Sequence, residues 1–101
     1  MRIGILEPLE FSIKALQSLK LMGDVSLFDG KNLKKFISNK EIIFTRLNYF
    51  LGEKQLQKAY SLKYICSPTT GFNHLDINYI NKKNIKIISL KGENNFLSDI
   101  R

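Results

Sequence analysis

The residues whose types and spacing could bind a ligand lie between positions 64 and 76. An apolar run that ends at Ser67 is followed by the polar loop Pro68-Thr69-Thr70-Gly71, and Asp76 precedes an amphipathic stretch. Consecutive backbone N–H groups at the end of a strand can bind an anion such as a carboxylate. Gly71 either lets the backbone approach a ligand or permits a positive φ. The loop is therefore predicted to be either an anion-binding loop or an ordinary turn.

The other chemically active side chains do not form a complete catalytic set. His74 is the only histidine, with no further metal ligand at a suitable spacing, so it is predicted to lie in a surface loop. Cys66 lies in an apolar run and is predicted to be a buried structural thiol. Glu7 is predicted to be a charge at a helix N-terminus rather than a magnesium ligand. The phosphate-binding patterns G-x-G-x-x-G and G-x-x-x-x-G-K-[ST] are absent from the sequence.

Length and composition limit the classes of protein to consider. The 101 residues suffice for one domain, and 44% hydrophobic with 25% charged residues is ordinary for a globular protein. The formal net charge is +7, but only Lys34-Lys35 and Lys82-Lys83 are adjacent lysines, which favours a solvated basic surface over a nucleic-acid partner. No apolar run approaches the roughly 20 residues that span a bilayer. A single cysteine favours a reducing cytoplasm.

Strands and helices are predicted to alternate along the chain. Five apolar runs predict strands at 2–6, 24–28, 41–45, 64–67 and 85–90. Helices are predicted to begin at Glu7-Pro8 and near residue 33, and to cover 52–60 and 76–83. This alternation with short links predicts a parallel sheet with helices on both faces. A further helix begins near residue 94 and stops after about two turns at Arg101, so we expect that a following segment is missing.

Apolar spacing and capping residues make these predictions more specific. The first helix is predicted to carry on one face Leu9, Ile13, Leu16 and Leu19. Gly23 is predicted to be a left-handed cap after that helix, and Asn84 one after the fourth. The third helix is predicted to pack together Leu56, Ala59 and Tyr60. The last helix is predicted to bury Phe96, Leu97 and Ile100.

Residues 62–92 resemble the first half of the D-isomer-specific 2-hydroxyacid dehydrogenases, the family of phosphoglycerate dehydrogenase and glyoxylate reductase. There a strand is followed by a loop G-x-G-x-D-x-[IL]-D and a helix that ends before [GN]-I-x-[VI]. The counterparts are Thr69-Thr70-Gly71-Phe72-Asn73-His74-Leu75-Asp76 and Asn84-Ile85-Lys86-Ile87. The resemblance implies a flavodoxin-like α/β fold, an open parallel five-stranded sheet with helices on both faces, truncated at the interdomain helix.

The resemblance also implies which residues bind the substrate. In the family the backbone N–H groups of the loop hold the substrate carboxylate, which assigns that role to Thr70 and Gly71. The end of the third strand lines the same cleft, so Arg46 and Leu47 are further candidates, and a solvent-facing Arg46 is the alternative. The chain departs from the family pattern at Thr69, Asn73 and Asn84. These departures imply a divergent subgroup with an open substrate identity.

The resemblance divides the chain into residues 1–92, the N-terminal part of the substrate-binding (catalytic) domain, and residues 93–101, the start of the interdomain helix. The dinucleotide-binding domain of the family is absent. The complete enzyme would use NAD or NADP and a small 2-hydroxy or 2-oxo acid, whereas this chain alone would bind no cofactor and no metal and would be inactive. The expected partners are that substrate and the missing domain, with no nucleic acid and no membrane, and a homodimer remains open.

Two other functions remain open from the sequence. A stand-alone non-catalytic α/β binding or assembly module would use the apolar residues of the last helix as its partner surface. A basic nucleic-acid binder would be retained on DNA in a salt-dependent manner.

Overall fold

The computed structural model describes residues 1–7, 13–46, 49–67 and 74–89. These residues form a sheet of five strands: β1 (Arg2–Ile5), β2 (Asp24–Leu27), β3 (Ile42–Phe44), β4 (Tyr64–Ser67) and β5 (Lys86–Ser89). Each strand lies within a predicted apolar run, and β4 has the predicted bounds. Within the described residues the other strands are one or two residues shorter than the predicted runs.

Within the described residues the connecting helices are α1 (Ile13–Lys20), α2 (Leu33–Ser38), α3 (Glu53–Leu56) and α4 (Ile77–Lys82). The third helix is a single turn, although the sequence predicted a helix over 52–60. Successive tight turns follow it, in which Ala59 N–H donates to the Leu56 carbonyl at 3.0 Å and Leu62 N–H to the Ala59 carbonyl at 3.3 Å. These turns bury Ala59 and Leu62 but leave Tyr60 83% exposed. The predicted packing of Tyr60 beside Leu56 is therefore wrong.

The order of the strands is β2-β1-β3-β4-β5, and every pairing is parallel. This is the flavodoxin-like order, which confirms the predicted fold class. The chain moves from β1 to β2 on one side and then returns to place β3 on the other side of β1. Ligands of open α/β sheets bind outside the carboxyl ends of the strands at such a switch point.

Apolar side chains cover both faces of the sheet. One face packs against α2, α3 and α4 through a cluster that includes Ile37, Ile43, Leu56, Ile65 and Ile80. The other face packs against α1 through Ile3, Ile5, Leu19, Ile42, Phe44 and Cys66. A sheet that is covered on both faces requires continuous apolar strands, which is why the runs were recognisable in the sequence.

Capping residues behave partly as predicted. The Asp76 side chain accepts a backbone N–H of the first turn of α4 at 3.1 Å, and Asn84 is left-handed with φ 61°. Gly23 does not have a positive φ, so the left-handed cap predicted there is wrong. A Cβ at Gly23 would lie 2.1 Å from the Met1 carbonyl oxygen, which accepts the Asp24 N–H at 2.8 Å. Gly23 therefore allows a close approach of two backbone segments.

The apolar face predicted for the first helix is partly correct. Leu19 is fully buried and Leu16 packs against the same cluster, but Ile13 is 74% exposed. With 3.6 residues per turn, Ile13 lies about 120° around the helix from Leu19. Leu9 and the predicted helix near residue 94 lie outside the described residues. None of the helices in the described part of the chain is long and apolar enough to span a bilayer.

Candidate functional site

Polar residues that are distant in the sequence lie together at the carboxyl ends of three neighbouring strands. Glu7 follows β1, Thr45 and Arg46 follow β3, Ser67 ends β4, and His74 precedes α4. We call these five residues the carboxyl edge. Because the strands are parallel and β3 lies between β1 and β4, the edge includes the switch point of the sheet. Its location is that of a ligand site in this class of fold.

The Glu7 carboxylate connects β1 to the end of β3. Its Oε2 atom accepts a hydrogen bond from the Thr45 hydroxyl at 3.3 Å and another from the backbone N–H of Arg46. Glu7 and Thr45 are both buried. A buried carboxylate needs such donors, since it has lost most of its hydration. Glu7 therefore fixes the turn that carries Arg46, and the helix start predicted directly after Glu7 lies outside the described residues.

His74 connects the end of β4 to the segment that follows β3. Its Nε2 atom lies 3.4 Å from Ser67 Oγ, and its carbonyl oxygen accepts the N–H of Leu51 at 2.9 Å. Leu51 also forms a parallel bridge with Leu75, in which Asp76 N–H donates to the Leu51 carbonyl at 2.9 Å. These contacts leave His74 only 6% exposed. The prediction of a surface loop histidine is therefore wrong, because long-range backbone bonds bury it.

The environment of His74 favours the neutral imidazole. Burial lowers the pKa of His74, because the imidazolium would lose hydration, while the Glu7 carboxylate opposes this shift. The Nδ1 atom is buried and has no hydrogen-bond partner among the described residues. From this network we assign the proton to Nε2, which donates to Ser67, because the other tautomer would leave a buried N–H without an acceptor.

Aromatic side chains support the segment that follows β3. The Phe28 ring, directly after β2, lies 5.5 Å from the Tyr49 ring in an edge-to-face arrangement and 5.1 Å from the Phe36 ring. The N–H of Phe28 donates to the Ile5 carbonyl at 2.9 Å, so this ring is fixed to the end of β1. Edge-to-face aromatic pairs contribute about 0.5–1.5 kcal/mol beyond their buried area. Tyr49 is thereby held beside the carboxyl edge.

The structure places one of the four predicted substrate-binding residues. Arg46 is at the carboxyl edge, with an exposed side chain and a backbone N–H that Glu7 holds. Leu47, Thr70 and Gly71 lie outside the described residues. The sequence did not single out the pairing of Glu7 with Thr45, because nothing local connects residues 38 positions apart.

Cys66 lies on the face of the sheet that packs against α1, and the prediction that it is a buried structural thiol is confirmed. Its side chain is fully buried in the cluster that packs against α1. Burial strongly raises the pKa of the Cys66 thiol, since the thiolate would be poorly hydrated there. A thiol in this state is a structural residue rather than a nucleophile.

The described residues include no cluster of metal ligands, and two of their glycines are tightly packed. Among them, no group of three or more His, Cys, Asp or Glu side chains could hold a metal. Dinucleotide sites use glycines whose missing side chains admit the phosphates. Here a Cβ at Gly4 would lie 2.8 Å from atoms of Ile43 and Phe36, and one at Gly52 would lie 2.6 Å from the Phe50 ring. These glycines therefore serve packing within the chain.

Comparison with known proteins assigns this chain to a family. The model of the D-isomer specific 2-hydroxyacid dehydrogenase catalytic domain matches residues 5–95. The chain belongs to this family. Erythronate-4-phosphate dehydrogenase of Marinomonas sp. (strain MWYL1) is 30% identical over 74 residues, which are 72% of this chain and 19% of that protein.

Solved structures show the same arrangement of strands and helices. The PH0520 protein of Pyrococcus horikoshii OT3 matches with a TM-score of 0.77 and 26% identity over 85% of this chain and 26% of its own. D-Lactate dehydrogenase from Aquifex aeolicus, complexed with NAD and lactic acid, matches with a TM-score of 0.71 and 24% identity, over 86% of this chain and 27% of its own. The chain thus forms part of a dehydrogenase catalytic domain and spans about a quarter of these proteins.

Proposed function

We propose that this chain forms the substrate-binding part of an NAD- or NADP-dependent oxidoreductase that acts on small 2-hydroxy or 2-oxo acids. The observation that carries the proposal is the carboxyl edge, a cluster of polar residues at the switch point of a dehydrogenase-family sheet. The family membership supports the reaction class. The NAD and lactic acid in the related D-lactate dehydrogenase support the cofactor and the substrate class.

The carboxylate of the substrate would bind at the carboxyl edge through Thr70, Gly71, Arg46 and Leu47. The backbone N–H groups of Thr70 and Gly71 would donate to the carboxylate oxygens, as consecutive amides do for anions. Arg46 is an exposed residue, and an arginine guanidinium carries a fork of donors that matches a carboxylate. Leu47 would contribute an apolar wall beside the carbon atoms of the substrate. Glu7 and His74 would hold the strand ends that carry these groups.

The cofactor would bind to a dinucleotide-binding domain outside this chain, since the sequence carries no G-x-G-x-x-G pattern. When bound, NAD or NADP supplies the hydride-transfer chemistry. The residues of this chain bind the acid and orient it toward that domain. Accurate placement of this kind is a large part of catalysis, because it replaces an encounter between two molecules by a reaction within one complex.

The proposal is tested with the complete protein in which this chain occurs. NADH and NADPH oxidation are followed with a panel of small 2-oxo acids, and NAD or NADP reduction with erythronate 4-phosphate, the compound named by the curated relative. We expect turnover of at least one of these acids. Absence of turnover with every acid and both cofactors, from a folded protein, would contradict the proposal.

Arg46→Gln tests the binding role in the same assay. Hydrogen bonds to charged groups contribute about 1.5–3 kcal/mol, so we expect KM to rise by at least about tenfold. The variant keeps the backbone N–H that Glu7 holds, so the edge itself should stay in place. Lys63→Gln, the same change of charge at an exposed residue before β4, is the matched control and should leave KM unchanged. An unchanged KM in Arg46→Gln would assign this arginine to the solvent-facing alternative.

A further inference from the structure

His74 contacts two residues that lie along the chain near the segments assigned to substrate binding, Ser67 before Thr70 and Leu51 after Leu47. Its imidazole Nε2 lies 3.4 Å from the hydroxyl of Ser67, the last residue of β4, from which the chain continues toward Thr70. Its carbonyl oxygen accepts the Leu51 N–H at 2.9 Å, in the segment that continues from Arg46. One residue thus joins the end of β4 to the segment that precedes α3.

One nitrogen of the buried His74 ring forms no hydrogen bond with the described residues. Its Nδ1 atom is buried and without a partner in the described part of the chain, and the residue is 94% buried as a whole. A leucine of similar size would fill this space with no unpaired polar atom. The chain nevertheless carries at this point a group that can donate to Ser67. The contact of the ring with Ser67, rather than filling of the core, accounts for a polar ring here.

We propose that His74 is a positioning residue for the substrate-binding edge, in which the neutral imidazole holds the end of β4 through its Nε2–H while the His74 carbonyl holds the segment after β3. We call the Ser67–His74 hydrogen bond the clasp. The inference rests on the proposed function for its consequence, which is that the clasp sets the affinity for the substrate. His74 would not touch the substrate or the reacting atoms.

Protonation of His74 would keep the Nε2–H donor but would disfavour the buried position of the ring, and movement of the ring out of that position would break the clasp. A second proton would place an N–H at the buried Nδ1, which has no acceptor among the described residues. The charged group that acts on the imidazole in this part of the structure is Glu7, at the end of β1, and it favours the protonated form against burial. Ser67, which faces the ring from β4, is neutral at all relevant pH values. Substrate affinity should therefore fall as the solution becomes acidic.

Three substitutions separate the hydrogen bond from the shape of the ring. His74→Gln places an amide near the position of Nε2, so it can keep the contact with Ser67 and cannot be protonated. His74→Asn places its amide near the position of Nδ1 and loses that contact. Ser67→Ala removes the partner and leaves the imidazole intact. Asn78→Gln, at an exposed position of α4, is the matched control.

The measurements use the complete protein. Affinity for oxamate, an unreactive analogue of a small 2-oxo acid, is measured by calorimetry between pH 5 and 8, together with KM and kcat. We expect Ser67→Ala and His74→Asn each to weaken oxamate binding by about fivefold, the loss expected for one ordinary hydrogen bond. The double variant should be no weaker than either single variant, because both remove the same contact. His74→Gln should bind like the unsubstituted protein and lose the dependence on pH.

Two results would overturn the inference. One is unchanged oxamate binding in both Ser67→Ala and His74→Asn. The other is an equal loss in His74→Gln and His74→Asn, which would show that ring volume matters and the hydrogen bond does not. Thermal unfolding of each variant identifies a change caused by misfolding, and Ser67→Ala then carries the test because it leaves the ring in place.

A spectroscopic measurement separates this inference from the proposed function. Nitrogen NMR shifts of the imidazole, assigned by difference against His74→Gln, report which ring nitrogen carries the proton. We expect the proton on Nε2 and a shift of that signal in Ser67→Ala. If the unsubstituted protein neither binds oxamate nor reduces any 2-oxo acid, the proposed function fails while these signals still show whether the clasp exists. A proton on Nδ1 would contradict the clasp whatever the protein catalyses.

Discussion

The two ends of the sheet treat their charged groups differently. At the amino ends of β1 and β3, Glu41 Oε1 accepts the Arg2 N–H at 2.8 Å and lies 3.8 Å from the Arg2 guanidinium. The buried Lys40 ammonium donates to Asn39 Oδ1 at 2.7 Å and lies 4.5 Å from the centre of the Phe36 ring. At the carboxyl edge, by contrast, the His74 ring keeps one buried nitrogen unpaired within the described structure.

This difference separates residues that maintain the fold from residues that prepare a site. An unpaired buried polar group costs about 1–3 kcal/mol, so chains normally avoid one. The amino end follows that rule with partners that are local or directly across the sheet. Departures from it are expected at functional sites, where another requirement outweighs stability. The unpaired nitrogen of His74 lies at the same edge of the sheet as the switch point of the strand order.

The largest effect on stability is expected from Glu7→Ala at the carboxyl edge. It removes the acceptor of the Thr45 hydroxyl and of the Arg46 N–H, both of which would remain in a largely buried place. Charge-assisted hydrogen bonds contribute about 1.5–3 kcal/mol, so we expect the free energy of unfolding to fall by about 2–3 kcal/mol. Urea denaturation measures it. Glu7→Gln keeps an oxygen acceptor, so its free energy of unfolding should fall clearly less. Equal losses in the two variants would contradict the role of Glu7 as the acceptor for Thr45 and Arg46.

A smaller effect is expected from acid, and the two ends of the sheet should respond in separate pH ranges. Burial lowers the pKa of His74 below its ordinary 6.5. Below about pH 6.5 the unfolded chain therefore binds more protons than the folded chain, and the free energy of unfolding falls as the pH decreases. The Arg2 N–H lowers the pKa of Glu41 below its ordinary 4.5, so its contribution is complete above that pH and is lost as pH falls through the folded value.

Thermal unfolding between pH 3 and 8 measures both contributions. His74→Gln should flatten the curve just below about pH 6.5 and leave the range below about pH 4.5, where Glu41 titrates, unchanged. An unaltered slope near pH 6 in that variant would show that His74 is not the group that titrates.

The smallest effect is expected from Glu41→Ala at the amino end. The Arg2–Glu41 pair is partly exposed, and ion pairs of this kind contribute about 0–1 kcal/mol. The Arg2 N–H, which lies at the surface, can bond to water after the substitution. Urea denaturation beside Glu7→Ala gives the comparison directly. A loss in Glu41→Ala as large as that in Glu7→Ala would remove the distinction between the two ends.

The fold could be predicted because its signals are local. Each strand is an apolar run that both sheet faces require, and Asp76 and Asn84 mark the ends of α4 through bonds and dihedral angles within a few residues. The third helix was predicted too long because Leu56, Ala59 and Tyr60 have helical spacing. Tight turns bury the first two equally well and release the tyrosine.

The site could be predicted only in part, because its contacts are long-range. The polar neighbours of His74 indicate a surface loop, and nothing nearby in the sequence reveals the backbone bridge from Leu51 to Leu75. Glu7 could be placed at the end of a strand, but its donors lie 38 and 39 positions further along. The family resemblance supplied Arg46, Leu47, Thr70 and Gly71, whose binding roles stay proposals.

The bridge between Leu51 and Leu75 has an evolutionary consequence. Its bonds join main-chain atoms, so they do not depend on which side chains the two segments present outward. Phe50, next to the bridge, is 54% exposed and can change without loss of those bonds. Substitutions can therefore alter the exposed surface beside the bridge while the main-chain frame beneath it is inherited unchanged, so the proposed substrate specificity would be able to change on a constant scaffold.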